Sequence, residues 1–304
     1  LNVVKWRWHA LFMSAVIICA GLYTVVSRGG VPLGVDFSGG TVMVLKFAQA
    51  TGEEAVRNAL PFAPDAVVQT YGEPAQHEIM VRLPMMQEAE SGANLEAKAT
   101  QVETALRAAK VGEFTISSKD IVGPVMGKDL RNKGIWATLA SLAGILAYVW
   151  FRFRLTFAVG AVIATFHDVL ITMSFLVWFG YDLSLNIVAA LLTITGYSVN
   201  DTIVIFDRVR ENQRTAKKES LEEVVNRSVN QTLSRTIITA GTTFIAVASL
   251  YLLGGEVLRG LAFTLMVGVV FGTYSSVFIA SAIAIILSPK MPSDPVAAAR
   301  ANLK

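Results

Sequence analysis

The sequence predicts an α-helical membrane protein with six transmembrane helices and one α+β domain outside the membrane. Only 16% of its 304 residues are charged and 53% are hydrophobic, whereas soluble domains carry about 25% charged residues. The charged residues are concentrated in 30–130, and most of the remainder falls into long apolar runs. One sizeable water-exposed domain therefore interrupts a membrane-embedded chain.

Six apolar segments approach or exceed the roughly 20 residues that a helix needs to cross the hydrocarbon core. They are 9–27, 133–151, 157–179, 185–206, 236–253 and 261–287. The first segment is too long for a signal-peptide core and lacks a convincing cleavage site, so we expect it to be a retained span, 1–29. The chain begins with Leu1 rather than Met, and we expect the native start to lie upstream.

Lysine and arginine in the short loops predict the orientation. The basic residues on one side are Lys5, Arg7, Arg152, Arg154, Arg208, Arg210, Arg214, Lys217, Lys218 and Arg227, whereas the short loops on the other side carry only Arg259. Both termini, the loop 207–235 and the tail 291–304 are therefore predicted to be cytoplasmic, and 30–130 extracytoplasmic. This asymmetry accounts for the net charge of +3, so we expect no nucleic-acid binding.

The outer domain alternates between strand and helix patterns. We predict strands at 41–47, 66–71, 78–83 and 114–121, and helices at 53–60 and 95–109. The order β-α-β-β-α-β is typical of a ferredoxin-like domain. The domain has no cysteine and only one histidine, His77, so we expect no metal site, no cofactor and no catalytic group.

A glycine-rich segment, 34–40, precedes the first strand and contains Gly34, Asp36, Gly39 and Gly40. Its glycines are compatible with a phosphate cradle, but no helix is predicted to offer its N-terminus to such a ligand. The favoured interpretation is structural: the glycines set a tight turn, and Asp36 hydrogen-bonds backbone amides.

Two acidic residues, Asp168 and Asp201, interrupt apolar spans. A carboxylate at the bilayer centre costs about 2.5–3.5 kcal/mol, a cost usually associated with function or with a partner in the bundle. Asp201 follows Asn200 and precedes Arg235, which opens the next predicted span. Asp201 is either a proton relay or, with Asn200 and Arg235, a polar clamp between helices; for Asp168 we favour a structural contact with His167.

A second polar group marks the predicted cytoplasmic boundary. It consists of Asp207, Arg208, Arg210 and Glu211, which we interpret as snorkelling anchors at a solvated helix end. The stretch 221–225 after the basic loop predicts an amphipathic helix on the membrane surface.

Several of these motifs together resemble the SecD/SecF family. They are the segment 34–40 (GVDFSGG), the third-span segment 167–169 (HDV), the fourth-span block 196–212 and the fifth-span entry 230–236. The resemblance covers nearly the whole chain, and the single short outer domain is typical of the SecF branch. It implies half of an RND-like bundle with a ferredoxin-like extracytoplasmic domain.

The resemblance also implies a function. It indicates a non-enzymatic subunit of the bacterial inner membrane that acts with SecD, beside SecYEG and SecA, and uses the proton-motive force to promote late steps of polypeptide export. Lipid, the translocating polypeptide and protons are then its other partners. The family's proton-pathway acid and arginine match Asp201 and Arg235, and we place Asp168 and Asn200 beside them. The alternatives are an RND-type small-molecule exporter and a non-conducting scaffold.

Overall fold

A computed structural model describes residues 2–72, 74–84, 92–153, 155–215 and 219–288. The chain forms two compact units, one made of Leu1–Val31, Thr138–Tyr181 and Asn186–Lys304, the other of Pro32–Ala137 and Asp182–Leu185. The sequence predictions for Arg154, Lys217, Lys218 and the tail 291–304 lie outside the described residues.

Long helices dominate the structure. They are α1 (Arg7–Ser27), α5 (Pro124–Arg152), α6 (Leu155–Trp178), α7 (Leu185–Thr215), α8 (Leu221–Leu253) and α9 (Glu256–Ser275), and a π-helical turn (Ser276–Ala280) links α9 to α10 (Ser281–Leu287). Six segments are long and apolar enough to span a membrane: Val4–Ser27, Met126–Arg152, Leu155–Trp178, Leu185–Thr215, Leu221–Leu253 and Leu258–Leu287. The predicted fold class is confirmed, although most helices extend beyond the apolar segments that predict them.

The region between the fourth and fifth spans differs from the prediction of a loop at 207–235. Helix α7 continues to Thr215, and α8 begins at Leu221 and runs without interruption into the fifth span. Ser220 and Glu223 form a reciprocal capping box that starts α8, which satisfies two backbone donors at the helix end. The predicted surface helix is therefore the first part of α8, and Arg235 lies well inside this helix rather than at its start.

The first part of α8 is a helix for a packing reason as well. Val224, Val225 and Val229 are at most 2% exposed and belong to the same buried cluster as Val209 on α7. Their spacing places them on one helical face. The amphipathic pattern that suggested a membrane-surface helix thus packs against protein instead.

The second unit contains a short helix α2 (Val35–Ser38) and a four-stranded sheet with two helices. Its elements are β1 (Gly40–Phe47), α3 (Glu53–Asn58), β2 (Val67–Tyr71), β3 (Glu78–Pro84), α4 (Gly92–Ala108) and β4 (Phe114–Val122). The strand order is β2-β3-β1-β4, and every neighbouring pair is antiparallel. This confirms the predicted β-α-β-β-α-β order and the ferredoxin-like domain.

The core of the second unit lies between the sheet and α4. The residues that predict this helix face from sequence, Leu95, Ala99, Val102 and Leu106, are at most 1% exposed. They face a sheet surface to which β1 contributes alternate side chains such as Leu45. Burying each large aliphatic side chain contributes about 1.5–3 kcal/mol, so this layer holds the domain together without a disulfide.

Small residues permit close packing in the helical unit. On α6, Gly160 lies against the last helical segment so closely that an added Cβ would be 2.9 Å from the Ala280 carbonyl oxygen. Ala158, Ala161 and Ala164 on the same helix are at most 4% exposed. Transmembrane helices approach each other through such small residues because lipid provides no hydrophobic driving force between them.

Candidate functional site in the transmembrane helices

Asp168 lies at the centre of a buried polar network. Its side chain is 1% exposed. Its Oδ2 accepts hydrogen bonds from Ser198 Oγ at 2.5 Å and Ser275 Oγ at 2.8 Å, and its Oδ1 is 2.9 Å from His167 Nδ1. The two serine contacts join α6 to α7 and α9, and the predicted contact with His167, on α6 itself, is present as a third part of the network.

The network continues from His167 to the first helix. His167 Nε2 is 2.8 Å from Ser14 Oγ, which is 3.2 Å from Tyr274 Oη, and the Tyr274 hydroxyl donates to the Ala10 carbonyl at 2.8 Å. The chain from Asp168 to Ala10 thus contains four contacts. Since each hydrogen bond uses one hydrogen, ionised Asp168 with neutral His167 supplies only three.

One additional proton on the Asp168–His167 pair completes all four bonds. With both His167 ring nitrogens protonated, Nδ1–H donates to Asp168 and Nε2–H donates to Ser14, which leaves the Ser14 hydroxyl to donate to Tyr274. The pair is therefore arranged so that proton uptake adds a hydrogen bond to the network instead of removing one.

Asp201 lies on the same helix as Ser198 but in a different environment. It is 4% exposed, and its Oδ2 is a buried atom without a hydrogen-bond partner, as is the hydroxyl oxygen of Thr236 on α8. A buried carboxylate oxygen without a donor accepts a proton without breaking an existing bond. The relay at Asp201 stays a prediction, to which the structure adds one carboxylate oxygen without a hydrogen-bond partner.

Arg235 acts on Asp201 only through space. Its positive charge interacts electrostatically with the Asp201 carboxylate, but these two described residues share neither a hydrogen bond nor an ion pair, and Arg235 is exposed. Asn200 is exposed as well, so it points away from the buried face that holds Asp201. The four residues of the predicted proton pathway are thus divided between buried and exposed positions.

Hydroxyl groups connect the surroundings of the two acids. Thr202 Oγ1 is 2.9 Å from Ser276 Oγ, which donates to the Ser198 carbonyl at 3.1 Å. Ser276 opens the π-helical turn, a local irregularity that is frequent at functional sites. Sequence reasoning missed these residues; the signal was the pair Ser275–Ser276 inside an otherwise apolar span.

The predicted boundary residues form surface pairs. Asp207 accepts from Arg152 at 2.6 Å, while Arg208 donates to Glu211 at 2.6 Å and to Gln231 at 2.7 Å. All lie at partly or fully exposed positions, where such pairs contribute about 0–1 kcal/mol each. Across the part of the chain that the structure describes, no group of three His, Cys, Asp or Glu side chains is placed to hold a metal.

Comparison with known proteins identifies the family. Residues 101–290 match the family described as protein export membrane protein SecD/SecF, C-terminal, and residues 29–51 match the SecD/SecF GG motif.

The chain belongs to the SecD/SecF family.

Its relatives match over most of their length. The protein translocase subunit SecF of Desulfurispirillum indicum is 41% identical, with 94% of this chain and 91% of that protein covered. The protein of the same name from Escherichia coli O157:H7 is 38% identical, with 95% and 88% covered.

Solved structures of the SecD/SecF family share the fold. SecDF, a translocon-associated membrane protein from Thermus thermophilus, matches with a TM-score of 0.83 and 33% identity over 94% of this chain, which corresponds to 38% of the SecDF chain. SecDF in a super-membrane-facing form matches with a TM-score of 0.65 and 34% identity. This chain is therefore similar to one part of a longer SecDF chain.

The GG motif contains the glycines and the aspartate that the sequence singled out. Gly39 and Gly40 have φ angles of 71° and 120°, which side chains with a Cβ rarely adopt. Asp36 Oδ2 accepts a hydrogen bond from the Leu185 amide at 2.8 Å. The structure thus contains the turn and a bond between Asp36 and a backbone amide, while the role of the motif stays a prediction.

Proposed function

We propose that this chain is the SecF subunit of a bacterial protein translocase. With SecD, and beside SecYEG and SecA, it uses the proton-motive force to promote late steps of polypeptide export across the inner membrane. In this assignment both termini are cytoplasmic, residues 30–130 are extracytoplasmic, and the chain catalyses no covalent chemistry.

The observation that carries the proposal is the buried, unpartnered Oδ2 of Asp201 near the charge of Arg235. An intramembrane carboxylate is costly unless it serves a pathway or a pair. A polar clamp would predict a direct bond between Asp201 and Arg235. The absence of such a bond between these two described residues favours a relay, in which Asp201 exchanges a proton while Arg235 modulates the stability of its charged form.

We assign the SecD-facing surface to an exposed stripe on α7. The stripe consists of the small or polar residues Asn186, Ala189, Thr193, Gly196 and Asn200. At Gly196 an added Cβ would meet no atom within 4 Å. Small and amide side chains are typical of contacts between transmembrane helices, which gives Asn200 a role at a subunit interface beside the buried face of Asp201.

Proton flux tests the proposal. Vesicles that contain this chain together with SecD should conduct protons. The Asp201→Asn variant should reduce that proton flux at least tenfold, because an amide side chain does not take up or release a proton near neutral pH. Asp207→Asn is the matched control: it lies on the same helix, but its carboxylate is exposed and pairs with Arg152.

Equal proton flux in the native and Asp201→Asn proteins would refute the relay hypothesis and favour a non-conducting scaffold. Export of a secretory polypeptide, measured in the same vesicles with and without a proton gradient, gives the second result. If the native protein exports the polypeptide equally well with and without a proton gradient, proton coupling is contradicted, regardless of the measured proton flux.

A further inference from the structure

Four residues between the third and fourth spans belong to the second unit. This segment, Asp182–Leu185, is grouped with Pro32–Ala137. It contacts the segment 32–36 of the GG motif and Arg82 on β3. We call this set of contacts the α7 clamp, since Leu185 is the first residue of α7.

The α7 clamp is built from backbone bonds and one ion pair. The Gly34 amide donates to the Leu183 carbonyl at 2.7 Å, and the Leu183 amide donates to the Pro32 carbonyl at 2.7 Å. The guanidinium of Arg82 on β3 pairs with the Asp182 carboxylate. Both side chains are less than one quarter exposed, and burial lowers the pKa of Arg82.

Asp36 completes the α7 clamp at the helix end. Its Oδ2 accepts from the Leu185 amide at 2.8 Å, across 149 positions of sequence. The first amides of a helix have no intrahelical partner, and a negative charge is favourable beside them because of the helix dipole. The GG motif thus contributes a cap at the start of α7.

The clamp explains why residue 34 is glycine. An added Cβ at Gly34 would lie 3.0 Å from the Leu183 carbonyl oxygen and 3.4 Å from Ser184 Cα. A side chain there would push the segment away and lengthen the bonds of the clamp. The glycine and the aspartate of the motif therefore serve the same contact.

Helix α7 connects this contact to the acid in the membrane. The helix runs uninterrupted from Leu185 to Thr215, and at a rise of about 1.5 Å per residue Asp201 lies about 24 Å along its axis. A helix of this length moves largely as a rigid element, so a shift or rotation at its first turn is carried towards Asp201.

We propose that Asp36 is a coupling residue: by holding the first amide of α7, it links movements of α7 around Asp201 to the outer domain. The coupling rests on the proposed function, because it assumes that protonation of Asp201 moves α7. The contact itself does not depend on that assumption. Asp36 acts through Leu185 and is a positioning residue.

Two variants remove the same hydrogen bond from opposite sides. Asp36→Ala removes the acceptor. Leu185→Pro removes the donor, and proline is well tolerated at the first position of a helix because its fixed φ suits that position. Asp36→Asn retains an acceptor oxygen and a good capping side chain, so it serves as the conservative rescue. Asp120→Asn, at an exposed position on β4, is the matched control.

The contact is tested first, by hydrogen exchange in the intact chain. Asp36→Ala should speed exchange in peptides covering 182–190 about tenfold, while peptides of β1 and β3 keep their protection, which shows that the domain still folds. Asp36→Asn and Asp120→Asn should leave the 182–190 peptides within twofold of native. Unchanged exchange in Asp36→Ala would overturn the proposal at its base.

Coupling is tested next, in vesicles with SecD, by measuring proton flux and gradient-driven export on the same sample. Asp36→Ala and Leu185→Pro should each keep flux within threefold of native but lower export at least tenfold. The double variant should be no worse than either single variant, since both remove one bond. Multiplied losses in the double variant, native export in Asp36→Ala, or an equal loss of flux and export would each overturn the coupling role.

Failure of the proposed function gives a different pattern. Absence of flux in the native vesicles, or native flux in Asp201→Asn, would remove proton coupling while the exchange result at 182–190 stays as expected. If Asp36→Ala leaves hydrogen exchange at 182–190 unchanged while Asp201→Asn still lowers proton flux, only the coupling role of Asp36 is refuted.

Discussion

Replacement of Asp168 should separate the need for an acceptor from the need for a charge. Asp168→Ala removes three hydrogen bonds from a site that is 1% exposed. Hydrogen bonds in membrane helices are worth about 0.6 kcal/mol on average, so three of them contribute about 2 kcal/mol.

Donors left without a partner raise this cost. Ser275 retains an alternative acceptor in the Gly272 carbonyl at 3.1 Å, whereas Ser198 and His167 lose theirs. Each buried unsatisfied donor costs about 1–3 kcal/mol. We therefore expect Asp168→Ala to destabilise the helical unit by about 3–4 kcal/mol.

Asp168→Asn should cost less than about 1 kcal/mol, because every bond can be kept. The amide oxygen accepts from the two serine hydroxyls, and the NH2 group donates to His167 Nδ1. His167 then carries its hydrogen on Nε2 and donates to Ser14, as it does when the native pair holds an extra proton.

Unfolding of the purified chain in detergent micelles measures both variants against the native protein. An Asp168→Asn variant as unstable as Asp168→Ala would refute the reasoning, because it would mean that the negative charge itself stabilises the site. A native-like Asp168→Ala variant would refute it as well, since three buried hydrogen bonds would then contribute nothing.

Three further predictions concern packing, charge and capping. Gly160→Ala should lower stability by about 1–3 kcal/mol through overpacking, whereas Gly144→Ala, where an added Cβ meets no atom within 4 Å, should be neutral or stabilising; thermal unfolding compares them. Hydrogen bonds from the Thr70 hydroxyl and amide hold the pKa of Glu53 below its ordinary value of 4.5. Glu53→Gln should therefore lower the free energy of opening β2 by about 0.5 kcal/mol after solvent screening. The difference between variant and native protein should be complete above pH 4.5 and should disappear as the pH falls through the lowered pKa of Glu53. Hydrogen exchange of β2 at several pH values measures it. Ser220→Ala should destabilise the start of α8 by about 1 kcal/mol through loss of its N-cap, seen as faster exchange in the first turn.

Local patterns predicted the fold well. Strand and helix alternation gave all six main elements of the outer domain, because each element buries one face and its spacing records that face. The six spans followed from the length of their apolar runs. The continuous α8 was not predicted because its first part, before Ile237, carries charged residues and so does not form an apolar run. The apolar side of this part packs on protein.

Contacts between residues far apart in the chain could not be predicted from local sequence patterns. Asp201 and Asp168 stood out because carboxylates are rare in apolar runs, but nothing near them in sequence indicated that Ser14 and Ser275 complete the network of Asp168. The adjacent residues Asn200 and Asp201 looked like one polar pair, yet consecutive helix positions point in different directions, and only the packing decides which is buried.

The sharing of Asp182–Leu185 with the outer domain also sets an order of events during synthesis. The last strand of that domain ends at Val122, and the clamp residues follow about 60 positions later. At a synthesis rate of about 5–20 residues per second, the ribosome makes them about 3–12 s after the sheet is complete. During that interval two further spans are synthesised, so every strand of the sheet is complete before residues 182–185, which contact the outer domain, are made.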